Sequence, residues 1–193
     1  MHLTFAQLGS GGSNQPFKTV KDYDDFLGRI HGFVIWCDTA VENMKRGMTL
    51  GYVYPKILMQ KVLPQMQSMI VKDEKESIFY MPLKNFPKEF SADDKKRLAD
   101  LYGKAITGKI IPSYQKLYTF IKDEYIPECK ESAGISDLPN GKEMYAYLAK
   151  FWTTTDMTPD QIFELGQSEV KRLRAEMEKI KEDDGYKGDL KSY

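Results

Sequence analysis

Three consecutive threonines, Thr153, Thr154 and Thr155, form the most distinctive group of polar side chains in the sequence. Their hydroxyl and backbone groups can hydrogen-bond an extended ligand, and β-branched residues favour an extended backbone. Tyr145 precedes the run by about two helical turns, on a short helix that is predicted to lead into it. These four residues are therefore the predicted substrate-binding residues. The alternative is that the threonine hydroxyls only cap neighbouring helix ends.

Residues for metal or nucleophilic catalysis are scarce. The histidines are His2 and His31, and neither has a second histidine four residues further on. A catalytic zinc site needs such a pair, a third ligand and a general-base glutamate. Cys37 follows His31 in one predicted helix at a spacing that is poor for a hydrogen-bonded Cys–His pair. We therefore predict no catalytic residue, no metal site and no cofactor within this chain, and a surface or packing role for His31.

Composition excludes several classes of function. Lysine plus arginine balances aspartate plus glutamate at 28 each, whereas a nucleic-acid surface needs a concentrated positive field. No apolar run approaches the roughly 20 residues that span a bilayer, and the first residues do not resemble a signal peptide. Two cysteines, Cys37 and Cys129, do not make a disulfide framework, and we expect two buried or half-buried thiols.

Apolar residues recur at spacings of three and four, which predicts helices that each bury one face. Helices are predicted near residues 20–50, 55–70, 92–126 and 159–183, with a shorter one ending near Trp152. Around Pro112 we expect either a break into two helices or one sharply kinked helix, because proline removes a backbone donor and clashes with the preceding turn. The segment IFYMPLKNFPKEF is predicted to be an extended surface loop. Tyr145, Tyr147 and Trp152 are predicted to be mainly core residues, with one ring facing a groove as the alternative.

The predicted fold is all-α, with long amphipathic helices packed as an irregular helical bundle. Residues 1–18, which include GSGGS, are predicted to be a flexible N-terminal segment, and residues 19–193 a single helical domain. Thr19 with Asp22 and Thr158 with Gln161 have the spacing of capping boxes, which marks where two of the long helices begin.

Several irregular motifs resemble one bacterial family in the right order along nearly the whole chain. They are PFKTVKDYDDFLGRI, IPSYQKLYTFIKDEYIPEC, LPNGKEMYAYL and YAYLAKFWTTTDMTPDQIFELGQSEVKRLRAEM. The family is domain of unknown function family 885, whose members resemble zinc peptidases of the H-E-x-x-H type. That zinc motif lies downstream of the matched region, so no position here inherits it. Phe163 stands where relatives often have histidine.

The resemblance implies a helical, metallopeptidase-like scaffold whose helices wall a deep substrate cleft. We expect the chain to be a fragment of a larger zinc-dependent peptidase, catalytically inert by itself, with zinc and a peptide substrate belonging to the full-length parent. The alternative is a non-enzymatic helical module that binds a peptide or another helix. Expected partners are the remainder of the parent or another copy of the chain, with no nucleic acid and no membrane span. The protein is expected to be bacterial, and exported if the parent carries a signal peptide.

Overall fold

The computed structural model describes residues 2–193, and the side chains of residues 3–193, as helices joined by turns, without a β-strand in that range. The all-α prediction is confirmed. The chain divides into two compact units, Met1–Ala133 and Gly134–Tyr193, here called unit 1 and unit 2. The α-helices of unit 1 are α1 (His2–Gly9), α2 (Val20–Thr49), α3 (Lys56–Gln67), α4 (Met81–Lys84), α5 (Ala92–Ala105), α6 (Ile111–Phe120) and α7 (Ile126–Glu128). Those of unit 2 are α8 (Gly141–Thr153) and α9 (Pro159–Asp183).

Helix α2 is the longest element of unit 1, and it packs against α5 and α6. The predicted capping box starts it: the Asp22 backbone N–H donates to the Thr19 hydroxyl, and the Thr19 N–H donates to the Asp22 carboxylate at 2.8 Å. Tyr23, Ile30 and Cys37 lie on its buried face, at the spacing that predicts one apolar stripe along the helix. Local capping and a long apolar stripe therefore specify both the start and the inner face of this helix.

The core of unit 1 is built around aromatic rings. Six of them have at most 1% of their surface exposed: Tyr23, Phe26, Phe79, Tyr102, Tyr114 and Tyr125. Buried hydroxyls need partners, and here the Tyr102 hydroxyl donates to the Tyr23 carbonyl while the Tyr23 hydroxyl donates to the Pro82 carbonyl, each at 3.0 Å. Burial raises the pKa of Tyr23 to about 12. The core therefore consists mainly of apolar side chains, and hydrogen bonds of buried tyrosines connect α2 to α4 and α5.

The helix that was predicted to be interrupted around Pro112 is continuous in the structure, and two short segments of it are π-helical. A π-helical segment, Ile106–Ile110, joins α5 to α6 just before Pro112, and a second, Ile121–Tyr125, joins α6 to α7 just before Pro127. A proline cannot donate to the preceding turn and its ring crowds that turn. A π-helical turn widens the helix by one residue at that point, so the helix continues where the sequence predicted a break or a sharp kink.

Two segments of unit 1 are more ordered than predicted. The segment expected to be flexible, residues 1–18, contains α1, whose Phe5 and Ala6 are buried in the core. The segment expected to be an extended surface loop forms a short 3-10 turn, Ile78–Tyr80, followed by α4. Phe79 is fully buried there. In both cases apolar side chains that reach the core decide the structure, although the first segment contains GSGGS and the second contains two prolines.

Unit 2 consists of a 3-10 turn, Ile135–Asp137, and the two helices α8 and α9, which contact each other. The predicted capping box begins α9 at Pro159, with the Thr158 N–H donating to Gln161 Oε1 at 2.8 Å. The start and the end of α9 coincide with the predicted residues 159–183. Gly141 is the one buried residue of the two helices, so unit 2 has no apolar core of its own. Within residues 2–193, no helix has the length and the hydropathy needed to cross a membrane.

Candidate substrate groove

A tight turn fixes the start of α8 against the Ile135–Asp137 segment. Asn140 adopts the left-handed conformation with φ 54°, which asparagine tolerates better than most residues. A Cβ on Gly141 would lie 2.1 Å from the Ile135 carbonyl oxygen, so only glycine fits at this close approach. The Asn140–Gly141 pair thereby sets the direction in which α8 leaves the turn.

An open groove lies between α8, α9 and the 3-10 turn, all within unit 2. Its volume is about 400 Å³, within the range of small-molecule and peptide side-chain sites. From α8 the lining residues are Tyr145, Leu148, Ala149, Trp152 and Thr153, and the others are Ile135, Pro159 and Ile162. The first four α8 positions are spaced i, i+3, i+4 and i+7, which places them on one helix face. The groove is therefore largely apolar, with a tyrosine and a threonine as its hydroxyl groups.

The structure brings together two of the four predicted site residues. Tyr145 and Thr153 line the same groove, whereas Thr154 and Thr155 are not among its lining residues. The lining residues that were not predicted from the sequence are Ile135, Leu148, Ala149, Pro159 and Ile162. The i, i+3, i+4, i+7 spacing from Tyr145 to Trp152 was the signal that could have found the α8 wall.

The prediction that the rings near the groove are mainly core residues is wrong. Trp152 is 76% exposed and Tyr147 is 65% exposed. Phe151 stacks on Tyr147 with ring centroids 6.2 Å apart and meets Trp152 edge-on at 5.1 Å. These rings, together with the groove face, make α8 apolar around much of its circumference, a pattern typical of a helix that is covered on more than one side.

The threonine run ends α8 and is not extended as predicted. Thr153 is the last helical residue, and its hydroxyl donates to the Ala149 carbonyl at 2.8 Å. The hydroxyls of Thr153 and Thr155 lie 3.0 Å apart, and the Thr154 N–H donates to the Lys150 carbonyl at 2.9 Å. The Thr153 hydroxyl thus bonds back onto its own helix, four residues earlier, and Thr154 is the residue at the C-cap. Ligand binding by the four residues stays a prediction.

Thr154, the C-cap residue of α8, occupies an unfavourable backbone conformation. Its φ is 57° and its ψ is 22°, in the left-handed region. A β-branched residue there is a genuine outlier, and left-handed backbone costs roughly 1–2 kcal/mol for a residue with a Cβ. Glycine or asparagine would end the helix without this cost. Strained backbone of this kind concentrates at functional sites.

The described residues offer no zinc site, and the family resemblance implies zinc only for the full-length parent. Among residues 3–193, no group of three histidine, cysteine, aspartate or glutamate side chains is placed to hold a metal ion. His31 is exposed on α2, and the side chain of His2 lies outside the described ones. Both thiols are free and buried, as expected, and burial raises the pKa of Cys37 to about 12. A thiol in this state is a poor nucleophile and a poor ligand.

Comparisons with known proteins identify the fold and the family. The profile of the family described as "Bacterial protein of unknown function (DUF885)" matches residues 2–193. A crystal structure described as that of "the putative lipoprotein from Colwellia psychrerythraea" superposes with a TM-score of 0.80 at 20% identity. The match covers 92% of this chain and 31% of the Colwellia chain, so this chain spans about a third of that protein's length. The comparison with curated proteins gives no significant match.

Proposed function

We propose that this chain, which belongs to the bacterial DUF885 family, supplies helical scaffold and one wall of the substrate cleft in a zinc-dependent peptidase, and that it is inert on its own. The observation that carries the proposal is the open apolar groove of unit 2, lined by Tyr145, Trp152 and Thr153. The zinc chemistry rests on the family resemblance of the motifs quoted above. No residue of this chain is assigned a catalytic step.

The chemistry of the groove suits a peptide side chain. Apolar walls bury an aliphatic or aromatic group, and the exposed indole of Trp152 offers a flat face for stacking. The Tyr145 hydroxyl can hydrogen-bond a peptide backbone group. The strained backbone of Thr154 supports a functional role for the end of α8. Glycine or asparagine at this position would avoid the strain, and strained residues concentrate at functional sites.

The proposal requires that other chain segments cover the exposed apolar faces of α8 and α9 outside the groove. Large apolar side chains on α8 and α9 remain exposed, among them Tyr147, Phe163 and Val170. A surface of this kind is unfavourable in water and marks an interaction site. In the proposed protein, the part of the longer chain that carries the zinc motif covers these faces and leaves the groove open to substrate.

The test compares two neighbouring aromatic residues of α8 in the longer protein. Trp152→Ala removes a groove-lining ring, whereas the control Phe151→Ala removes an exposed ring that does not line the groove. We expect zinc-dependent peptide hydrolysis in which Trp152→Ala raises KM several-fold with little change in kcat, because a binding contact is lost. Phe151→Ala should leave KM unchanged. Equal kinetics for wild type and both variants, or no peptide hydrolysis at all, would contradict the proposal.

A second candidate function is a helical binding module that holds a peptide or a partner helix without hydrolysing it. The exposed stripe of α9, with Val170, Leu173 and Met177, favours it, because helix-in-groove recognition uses anchors at this spacing. Direct binding separates the two functions. The 193-residue chain should bind peptides by itself if it is a binding module, and should neither bind them tightly nor cleave them if it supplies only one wall of a cleft.

A further inference from the structure

A second groove lies in unit 1, between α1 and α2, and it is distinct from the groove of unit 2. Its volume is about 310 Å³. Helix α1 contributes Thr4, Phe5 and Leu8, and α2 contributes Arg29, Gly32, Phe33 and Trp36. Apart from Arg29 and the Thr4 hydroxyl, the side chains around it are apolar. We propose that this groove binds a medium-chain alkyl carboxylate, with the carboxylate on Arg29 and the alkyl chain along the aromatic wall.

The wall of the groove is a preformed stack of rings. Phe5 and Phe33 lie almost parallel, with centroids 4.0 Å apart and planes 4° apart. Trp36 continues the stack from Phe33 at 5.9 Å and 15°. Phe5 and Phe33 are also buried in the core of unit 1, so the wall is held from behind. An apolar ligand therefore meets a rigid surface and does not need to reorganise it.

The floor of the groove is open because α2 carries glycine there. A Cβ on Gly32 would meet no atom within 4 Å, so the backbone itself forms part of the floor. Glycine in a helix interior costs roughly 0.5–1 kcal/mol relative to alanine. Any side chain would fit sterically at this position and would fill space that is now available to a ligand.

Among the described residues that line the groove, Arg29 is the charged one, and it lies at the N-terminal end of the α2 wall. From Arg29 to Trp36 the groove follows two turns of α2, about 10 Å along the helix axis. Among the described residues, Arg29 forms no ion pair with a carboxylate. The nearby carboxylates Asp25 and Asp24 are paired with Lys21 and Arg97. A free guanidinium binds a carboxylate with two parallel hydrogen bonds. A cation at one end and an apolar wall along the rest match a linear amphiphilic anion.

The experiment compares octanoate with octanamide, which has the same shape and no charge. Binding to the 193-residue chain is measured by titration calorimetry, and by Trp36 emission in a Trp152→Phe background that removes the other tryptophan of the chain. We expect one octanoate per chain, and binding of octanamide that is about tenfold or more weaker. Arg29→Gln should weaken octanoate by about the same factor and leave octanamide unchanged.

A pair of glycine variants tests the location of the site. Gly32→Leu fills the groove floor, whereas Gly28→Leu makes the same change one turn earlier on α2, at a glycine that is also free of neighbours and does not line the groove. We expect Gly32→Leu to abolish binding of octanoate and Gly28→Leu to preserve it, with both variants folded by thermal unfolding. The proposal is overturned if octanoate does not bind, if octanamide binds equally well, if Arg29→Gln has no effect, or if the two glycine variants behave alike.

Discussion

Helices α2 and α9 follow the same local sequence rules, but α2 lies in a buried environment and α9 in an exposed one. Each begins with a complete capping box, and each carries a long apolar stripe. Helix α2 buries Tyr23, Phe26 and Ile30, whereas α9 has no buried residue. The difference teaches that capping and amphipathic spacing determine where a helix starts and which face is apolar. They do not determine what covers that face, which depends on segments far away in sequence.

The largest contrast is expected from the same truncation made in each helix. Phe26→Ala should lower the free energy of unfolding of unit 1 by about 3–5 kcal/mol, because it leaves a cavity in a closed core. Phe26 is fully buried against Phe5 and Tyr102. Phe163→Ala on α9, at a ring that is 66% exposed, should change stability by less than about 0.5 kcal/mol.

Each unit has its own reporter for this comparison, because the two tryptophans of the chain are Trp36 in unit 1 and Trp152 in unit 2. Urea unfolding followed in single-tryptophan variants gives the two transitions separately. Equal losses of stability for Phe26→Ala and Phe163→Ala would show that α9 packs as tightly as α2 and would remove the contrast.

Alkaline pH should weaken the core of unit 1. Burial raises the pKa of Cys37 from an ordinary value of 9.0 to about 12, and that of Tyr23 from 10.0 to about 12. In each case the unfolded chain loses the proton at a lower pH than the folded chain does. The stability is therefore fully present below pH 9 and is lost progressively as the pH rises from about 9 to about 12.

Cys37→Ala provides the control for this pH dependence. Between about pH 8.5 and 9.5, where the unfolded thiol ionises around its ordinary value of 9.0 and most of the unfolded tyrosine is still protonated, the variant should lose stability less steeply than the wild type. The measurement is the urea midpoint of unit 1 at half-unit pH steps. Identical slopes in the two proteins would mean that the Cys37 thiol is not shielded from water as the structure has it.

A smaller effect, of opposite sign, is expected at the end of α8. Thr154→Gly should raise the stability of unit 2 by up to about 1 kcal/mol, because glycine adopts the left-handed backbone without a Cβ penalty. Thr153→Gly should lower it, since it places glycine, a poor helix former, in the last turn of α8. The Trp152 unfolding transition reports both variants. A loss of stability in Thr154→Gly would mean that the threonine side chain contributes more than its backbone conformation costs.

Much of the fold could be predicted because helix signals are local. The capping pairs Thr19–Asp22 and Thr158–Gln161 gave the starts of α2 and α9 to the residue. The π-helical segments before Pro112 and Pro127 could not be predicted, since a wider turn and a broken helix satisfy the same proline constraint. Helix α1 was also not predicted, because its position depends on contacts of Phe5 with Phe26 and Phe33, which are distant in sequence.

The candidate site was predicted less well than the fold. Tyr145 and Thr153 do meet in one groove, because an intervening helix of known pitch places them there. The prediction of an extended threonine run was wrong. The preceding helix continues through Thr153, whose hydroxyl bonds back to Ala149. The preference of β-branched residues for extended backbone is too weak to prevent this. The rings expected in the core were exposed, because periodicity identifies an apolar face without identifying its partner.

Native-state hydrogen exchange on the backbone amides of α2 and α9 tests the central claim most directly, namely that the apolar face of α9 lacks its partner in this chain. In the 193-residue chain, amides of α2 should exchange only through global unfolding of unit 1, and amides of α9 through local opening with far lower protection. Joined to the remainder of the longer protein that we propose, α9 should gain protection while α2 changes little. Protection of α9 equal to that of α2 in the isolated chain, at every protein concentration, would contradict the account.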